Sequence, residues 1–187
     1  MRTFKRSADP ACAEKVEDII GLYMDAPRHA VVLSVEEKSQ IQAIKRTQLD
    51  RVLVPRRPAT RTHDYVRYGT TTSFAAVNAL EETVIGRCMQ RHRHEDIMRF
   101  FNAVAAKVPT GKVVHVVLGN YRPHSHAKVR ALLSRHPRCV FHIIRTSVTW
   151  LNAVESFFSA LSHRRLRRET FTGIVDLQAA IKNYTAD

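Results

Sequence analysis

The sequence predicts an α/β protein built on a mixed five-stranded sheet with helices on both faces, and three of its features lead there. Three short apolar, β-branched runs follow one another early in the chain with no helix between them, the pattern of a meander. Further on, apolar strands alternate with segments of helical period, the pattern of crossover connections. The strand segments are apolar almost throughout, as strands covered on both faces are.

The elements follow in order. In "PACAEKVEDIIGLYMDA", Val16, Ile19, Ile20 and Tyr23 fall at i, i+3, i+4 and i+7, which predicts a helix with those residues on its buried stripe. "HAVVLSVEE" predicts a buried strand that ends in two carboxylates. Alternation puts Glu36 on the face of Val32 and Ser34, and Glu37 on the face of Val31, Leu33 and Val35. Residues 45–68 are basic and interrupted by Pro55 and Pro58, which predicts an extended loop. "TTTSFAAVNAL" and "TVIGRCMQ" read as a hairpin-like pair of strands around Glu81-Glu82. "HEDIMRFFNAVAAKV" reads as a helix with Ile97, Phe100, Phe101, Val104 and Ala105 on one face. Then come the strand "KVVHVVLG", the helix "SHAKVRALLSRH", the strand "CVFHIIRT", the long helix "TWLNAVESFFSALSHRRLRRE" and a last helix, "VDLQAAIKNY".

At 187 residues the chain fits one domain with a single core. Thirty Lys+Arg against seventeen Asp+Glu give a formal charge of +13, which favours a polyanionic partner, nucleic acid first. The three cysteines, Cys12, Cys88 and Cys139, show no paired spacing, so no disulfide framework is expected. No apolar run reaches the ~18 residues of a membrane span, and the first residues lack the apolar core of a signal peptide. A reducing intracellular compartment is the expectation.

Polar residues gather at three places where a core pattern predicts none: Glu36 at the end of the first strand, Gly119-Asn120 at the end of the fourth, and Glu155 at the edge of the stripe Leu151, Val154, Phe158 and Leu161. Other candidates read more plainly. Trp150 at a strand-to-helix junction reads as core. Cys88, His92 and His94 match no zinc spacing and read as helix-entry residues. His115 and His142 lie inside strands and read as satisfied core or edge histidines.

The segments "VVLSVEEKSQIQAIKRTQ", "RTHDYVRYGTTTSFAAVNA", "HVVLGNYRPHSHAKVRALLSRHPR" and "FHIIRTSVTWLNAVESFFSALSHRRLRRETF" together resemble bacterial insertion-sequence transposases of the mariner-related DDE group, from about Phe4 to Tyr184. The resemblance implies a ribonuclease-H-like fold over residues 30–187, with residues 1–29 as a helical lead-in. It implies a DNA-cleaving and strand-transferring enzyme in which three carboxylates hold two Mg2+ or Mn2+ ions. Such relatives carry an upstream helix-turn-helix region, and the expectation is that this chain lacks it. The implied partners are transposon-end and target DNA, with a second copy or a full-length transposase possible, and no membrane. The implied setting is a bacterial cytoplasm, at the nucleoid.

Position by position, the family's first aspartate falls on Glu36, its second on Gly119, and its glutamate on Glu155. Glu36 keeps the charge and adds a methylene, and a displacement of about 1 Å can cost ~100-fold in rate. Gly119 removes a carboxylate altogether. Metal contact is therefore expected of Glu36 and Glu155 alone, and catalysis is expected to be impaired or lost. Arg145 for a common proline and "EETVIG" for "TGKVIG" depart in the same direction. Arg56, Arg57 and Arg61 in the long loop, with Arg164, Arg165, Arg167 and Arg168 near the end of the long helix, are the candidate DNA contacts. For those on the helix, a solvated face explains the charge as well as phosphate contact does. A non-catalytic DNA-binding or assembly remnant is the alternative function.

Overall fold

The computed structural model describes residues 10, 12–47, 64–91, 93–119, 131, 134, 137–144 and 151–186. Its elements are α1 (Cys12–Met24), β1 (Ala30–Arg46), β2 (Tyr65–Asn78), β3 (Val84–Met89), α2 (His94–Lys107), β4 (Val113–Gly119), β5 (Cys139–Ile144), α3 (Ala153–Leu161) and α4 (Ile174–Ala186). Most of the helix expected at 125–136 and most of the 45–68 loop, with Asn120, Arg145 and Trp150, lie outside the described residues.

The strands form one five-stranded sheet in the order β3-β2-β1-β4-β5. β1, β2 and β3 pair antiparallel as a meander, while β1–β4 and β4–β5 are parallel. This is the mixed sheet that the element order predicts. Val31, Leu33, Val35 and Phe74 pack on one face against Ile97, Phe100, Phe101 and Val104 of α2. On the other face, α1 lays Ile19 against Val32, Val117 and Ile144. Beside it, Val154, Phe158 and Leu161 of α3 and Leu177 and Ile181 of α4 cover Ala75, Ile41 and Ala43. α4 lies close enough to β3 that a Cβ on Gly86 would meet Thr185 Cγ2 at 2.6 Å, so a glycine is what lets the helix seat there.

Three local expectations need correction. β1 is 17 residues long and β2 is 14, so the two strands run on as a ribbon into the expected loop, with Lys45 opposite Val66 and Arg46 opposite Tyr65. The cause is a bulge: Lys38 pairs with Ser73 but Ile41 pairs with Thr71, so two residues, Ser39 and Gln40, oppose Thr72 alone. Gln40 takes a left-handed φ of 54° there. The extra residue shifts the alternation, and Ile41 and Ala43 join the face of Val32, Ser34 and Glu36. A strict period-2 reading loses the strand at that step.

In α1, Ile20 is 40% exposed while Ile19 is 2% exposed, so the buried stripe is narrower than expected. The long helix is not uniform either. It begins after Asn152, and beyond Leu161 it widens into a π-helical turn at Ser162–Leu166. There the Ser162 hydroxyl donates to Phe158 O at 2.6 Å, and Arg167 N reaches back five residues to Ser162 O at 3.0 Å.

Candidate active site

Ser34 is a fully buried hydroxyl in an apolar strand, so it requires partners. It finds them at the start of α3. Its hydroxyl donates to Asn152 Oδ1 and accepts from Val154 N at 3.0 Å. Asn152 is the residue before the helix and is 1% exposed, yet its own side chain does not cap the helix. Ser34 satisfies one of the orphan amides from across the sheet instead. The freed Asn152 amide donates through Nδ2 to Glu36 Oε2 at 3.3 Å. Tyr23 of α1 packs its phenol among the same groups, and burial, opposed by Ser34 and the Ala153 backbone, pushes its pKa up.

This lattice of hydrogen bonds ties the first half of β1 to the first turn of α3 and brings two carboxyls together. Glu36 lies within hydrogen-bonding and Coulombic range of Glu155. Burial first, then the like charge of Glu155, raises Glu36 from 4.5 to about 7. Glu155 is exposed, at the edge of the apolar stripe formed by Val154, Phe158 and Leu161. Glu37 points to the opposite face, paired in register with Phe74, and burial followed by the charge of Glu36 pushes it up to about 8. Only Glu36 of the two can serve this site.

Gly119 closes β4 one step past the Leu118–Val35 pairing, beside Glu36. Position 119 therefore belongs to the same cluster as Glu36 and Glu155 but supplies no donor. Among the described residues, no three His, Cys, Asp or Glu side chains gather into a metal-holding group. Two carboxylates, one already engaged by an amide, do not fit a pair of divalent ions, each of which asks for several hard oxygen ligands.

The candidate phosphate contacts lie elsewhere. Arg164, Arg167 and Arg168 are exposed along the π-helical turn and just after it. Arg165 is held by Glu169 at 2.7 Å. Arg56, Arg57 and Arg61 fall outside the described residues. His115 and His142 meet across β4 and β5, Nδ1 to Nε2 at 3.0 Å with their rings stacked. Sequence reasoning assigned no role to Ser34 and Asn152. Two signals pointed to them: a serine in the middle of an apolar strand, and an asparagine directly before an apolar helix.

The chain belongs to the DDE superfamily endonucleases, whose family model matches residues 28–178. Solved structures with the same fold are assemblies of the Mos1 mariner transposase. A pre-cleavage Mos1 transpososome superimposes with a TM-score of 0.67 at 14% identity, over 100% of this chain and 58% of that one. A Mos1 paired end complex with Mn gives 0.67 at 13% identity, over 100% and 58%. The corresponding complex with Mg gives 0.58 at 11%, again over 100% and 58%. The mixed sheet and its helices thus make the ribonuclease-H-like fold of these transposase structures, and the chain spans somewhat over half of their length. A comparison with curated protein sequences finds no match. No helix among the described residues is long and apolar enough to cross a membrane.

Proposed function

We propose that this chain is the catalytic domain of an insertion-sequence transposase whose DNA cleavage and strand-transfer chemistry is lost or severely impaired. The observation that carries this reading is the composition of the cluster around Glu36 on β1. Two of the three positions that the family resemblance assigns to metal ligands are carboxylates in mutual contact, Glu36 and Glu155, and the third is Gly119. Mg2+ or Mn2+ is the cofactor implied by the family. The donor set does not fit two such ions. What the residues do support is a site held ready in shape, with Asn152 orienting Glu36, but short of one anionic ligand.

A metal-dependent nicking assay on duplex DNA carrying transposon ends tests the reading. The chain as it stands is expected to remain at background in Mg2+ and in Mn2+. Robust cleavage by the unaltered chain would overturn the assignment of impairment.

The formal charge of +13 and the exposed Arg164, Arg167 and Arg168 favour a second reading, a DNA-binding or assembly remnant that acts beside an intact transposase or a second copy of itself. Sequence-indifferent DNA binding whose affinity falls steeply with salt supports it, with the log–log slope giving the number of phosphates neutralised. No binding even at low salt excludes it.

A further inference from the structure

A Cβ placed on Gly119 would meet Glu36 Oε1 at 2.8 Å and the Glu36 carboxyl carbon at 3.6 Å. Side-chain carbons do not approach an oxygen that closely without something moving, so the space at position 119 is already taken. The geometry points to Glu36 and Gly119 being a reciprocal pair: the Glu36 carboxylate occupies the side-chain position of residue 119, and any side chain there must displace it while residue 36 is glutamate.

Stepping aside would cost the carboxylate a hydrogen bond. Its other oxygen accepts from Asn152 Nδ2 at 3.3 Å, and Asn152 is itself fixed by Ser34. Glu155 stands close by, where a like charge opposes any nearer approach. Glutamate is one methylene longer than aspartate, and that length carries Oε1 over the β4 backbone. The two departures from the aspartate pattern are therefore one structural change made at two positions. A carboxylate restored at 119 alone would collide with the one already present, while shortening residue 36 alone would leave a void over Gly119.

The experiment is a double-mutant cycle in thermal unfolding on Gly119→Ala and Glu36→Asp. Gly119→Ala is expected to lower Tm by about 2–4 °C in the parent chain. In the Glu36→Asp background it is expected to cost nothing or to raise Tm, because the shortened carboxylate withdraws and alanine restricts the unfolded chain. Equal effects of Gly119→Ala in both backgrounds would overturn the pairing.

A second arm, which rests on the transposase reading above, measures Mn2+-dependent nicking. Gly119→Asp alone is expected to stay at background, while Glu36→Asp/Gly119→Asp rises at least tenfold above it. Equal gains from the single and the double variant would count against the pair. Coupling in the unfolding cycle without any gain in nicking would uphold the pair and count against the transposase reading.

Discussion

Glu36 is pulled by neighbours that make opposite demands. Asn152 donates to it and so favours its charged form, while burial and Glu155 favour the neutral one, and the latter prevail. A carboxyl raised from 4.5 to about 7 contributes stability that is complete below pH 4.5 and is lost as the pH climbs through 7. Glu155→Gln removes the like charge. Because Glu155 is exposed, its effect on Glu36 is partly screened. The variant is expected to raise Tm by about 2–4 °C at pH 8 and to leave it unchanged at pH 4, read by thermal unfolding at fixed salt. A gain at pH 4 as large as that at pH 8 would show that Glu155 acts by something other than charge. At this scale the sequence was legible for the carboxyls, because strand alternation alone assigns Glu36 and Glu37 to opposite faces. It was not legible for the polar contacts between them, because a hydrogen bond from Ser34 to Asn152 joins residues 118 apart and leaves no local pattern.

Asn152 links two elements as well as two residues. The first turn of α3 receives its cap from β1, so helix and strand are fixed to each other by polar contacts set beside the apolar packing of Val154. Asn152→Ala leaves the buried Ser34 O–H without its acceptor and releases Glu36. A loss of about 1–3 kcal/mol in urea unfolding is expected, the cost of a buried polar group deprived of its partner. A loss below ~0.5 kcal/mol would mean that water replaces the amide and that the link is not structural. Elements with one uninterrupted period were readable from sequence, as α2 and β4 show. β1 beyond Lys38 was not, since the bulge shifts the period and the polar run "KSQ" hides the strand. The π-helical turn was hidden as well, because "SHRRLRRE" fits an ordinary helical wheel equally well.

For the whole molecule, the titrating groups define opposite limbs of a stability profile. Glu36 and Glu37, both raised, withdraw stability as the pH climbs from 4.5 to about 8. His115 and His142 are lowered by burial, and their mutual hydrogen bond requires one neutral ring. His142 is further lowered by His115, an effect that Asp18 of α1 opposes. Their contribution is present above the ordinary value of 6.5 and is lost as the pH falls below it. Tm measured from pH 5 to 9 is expected to flatten on its acid side in His115→Leu and on its alkaline side in Glu37→Gln. A variant that moves both limbs together would refute this assignment of groups to limbs. The mixed sheet covered on both faces was legible at this scale because a meander followed by alternating helices and strands leaves few other ways to pack. The site was less so, since its assembly depends on where three separated segments end.

The extra residue at Ser39-Gln40 carries a consequence for how this chain tolerates insertions and deletions. Removing one residue between Lys38 and Ile41 would delete the bulge and restore a continuous pleat, with Ile41 and Ala43 still on the face that meets Phe158 and Leu177. Removing both Ser39 and Gln40 would instead set Ile41 directly after Lys38 and turn Ile41 and Ala43 to the α2 side. The loss of a single residue at this point of the strand should therefore be tolerated, while the loss of two turns the ribbon inside out.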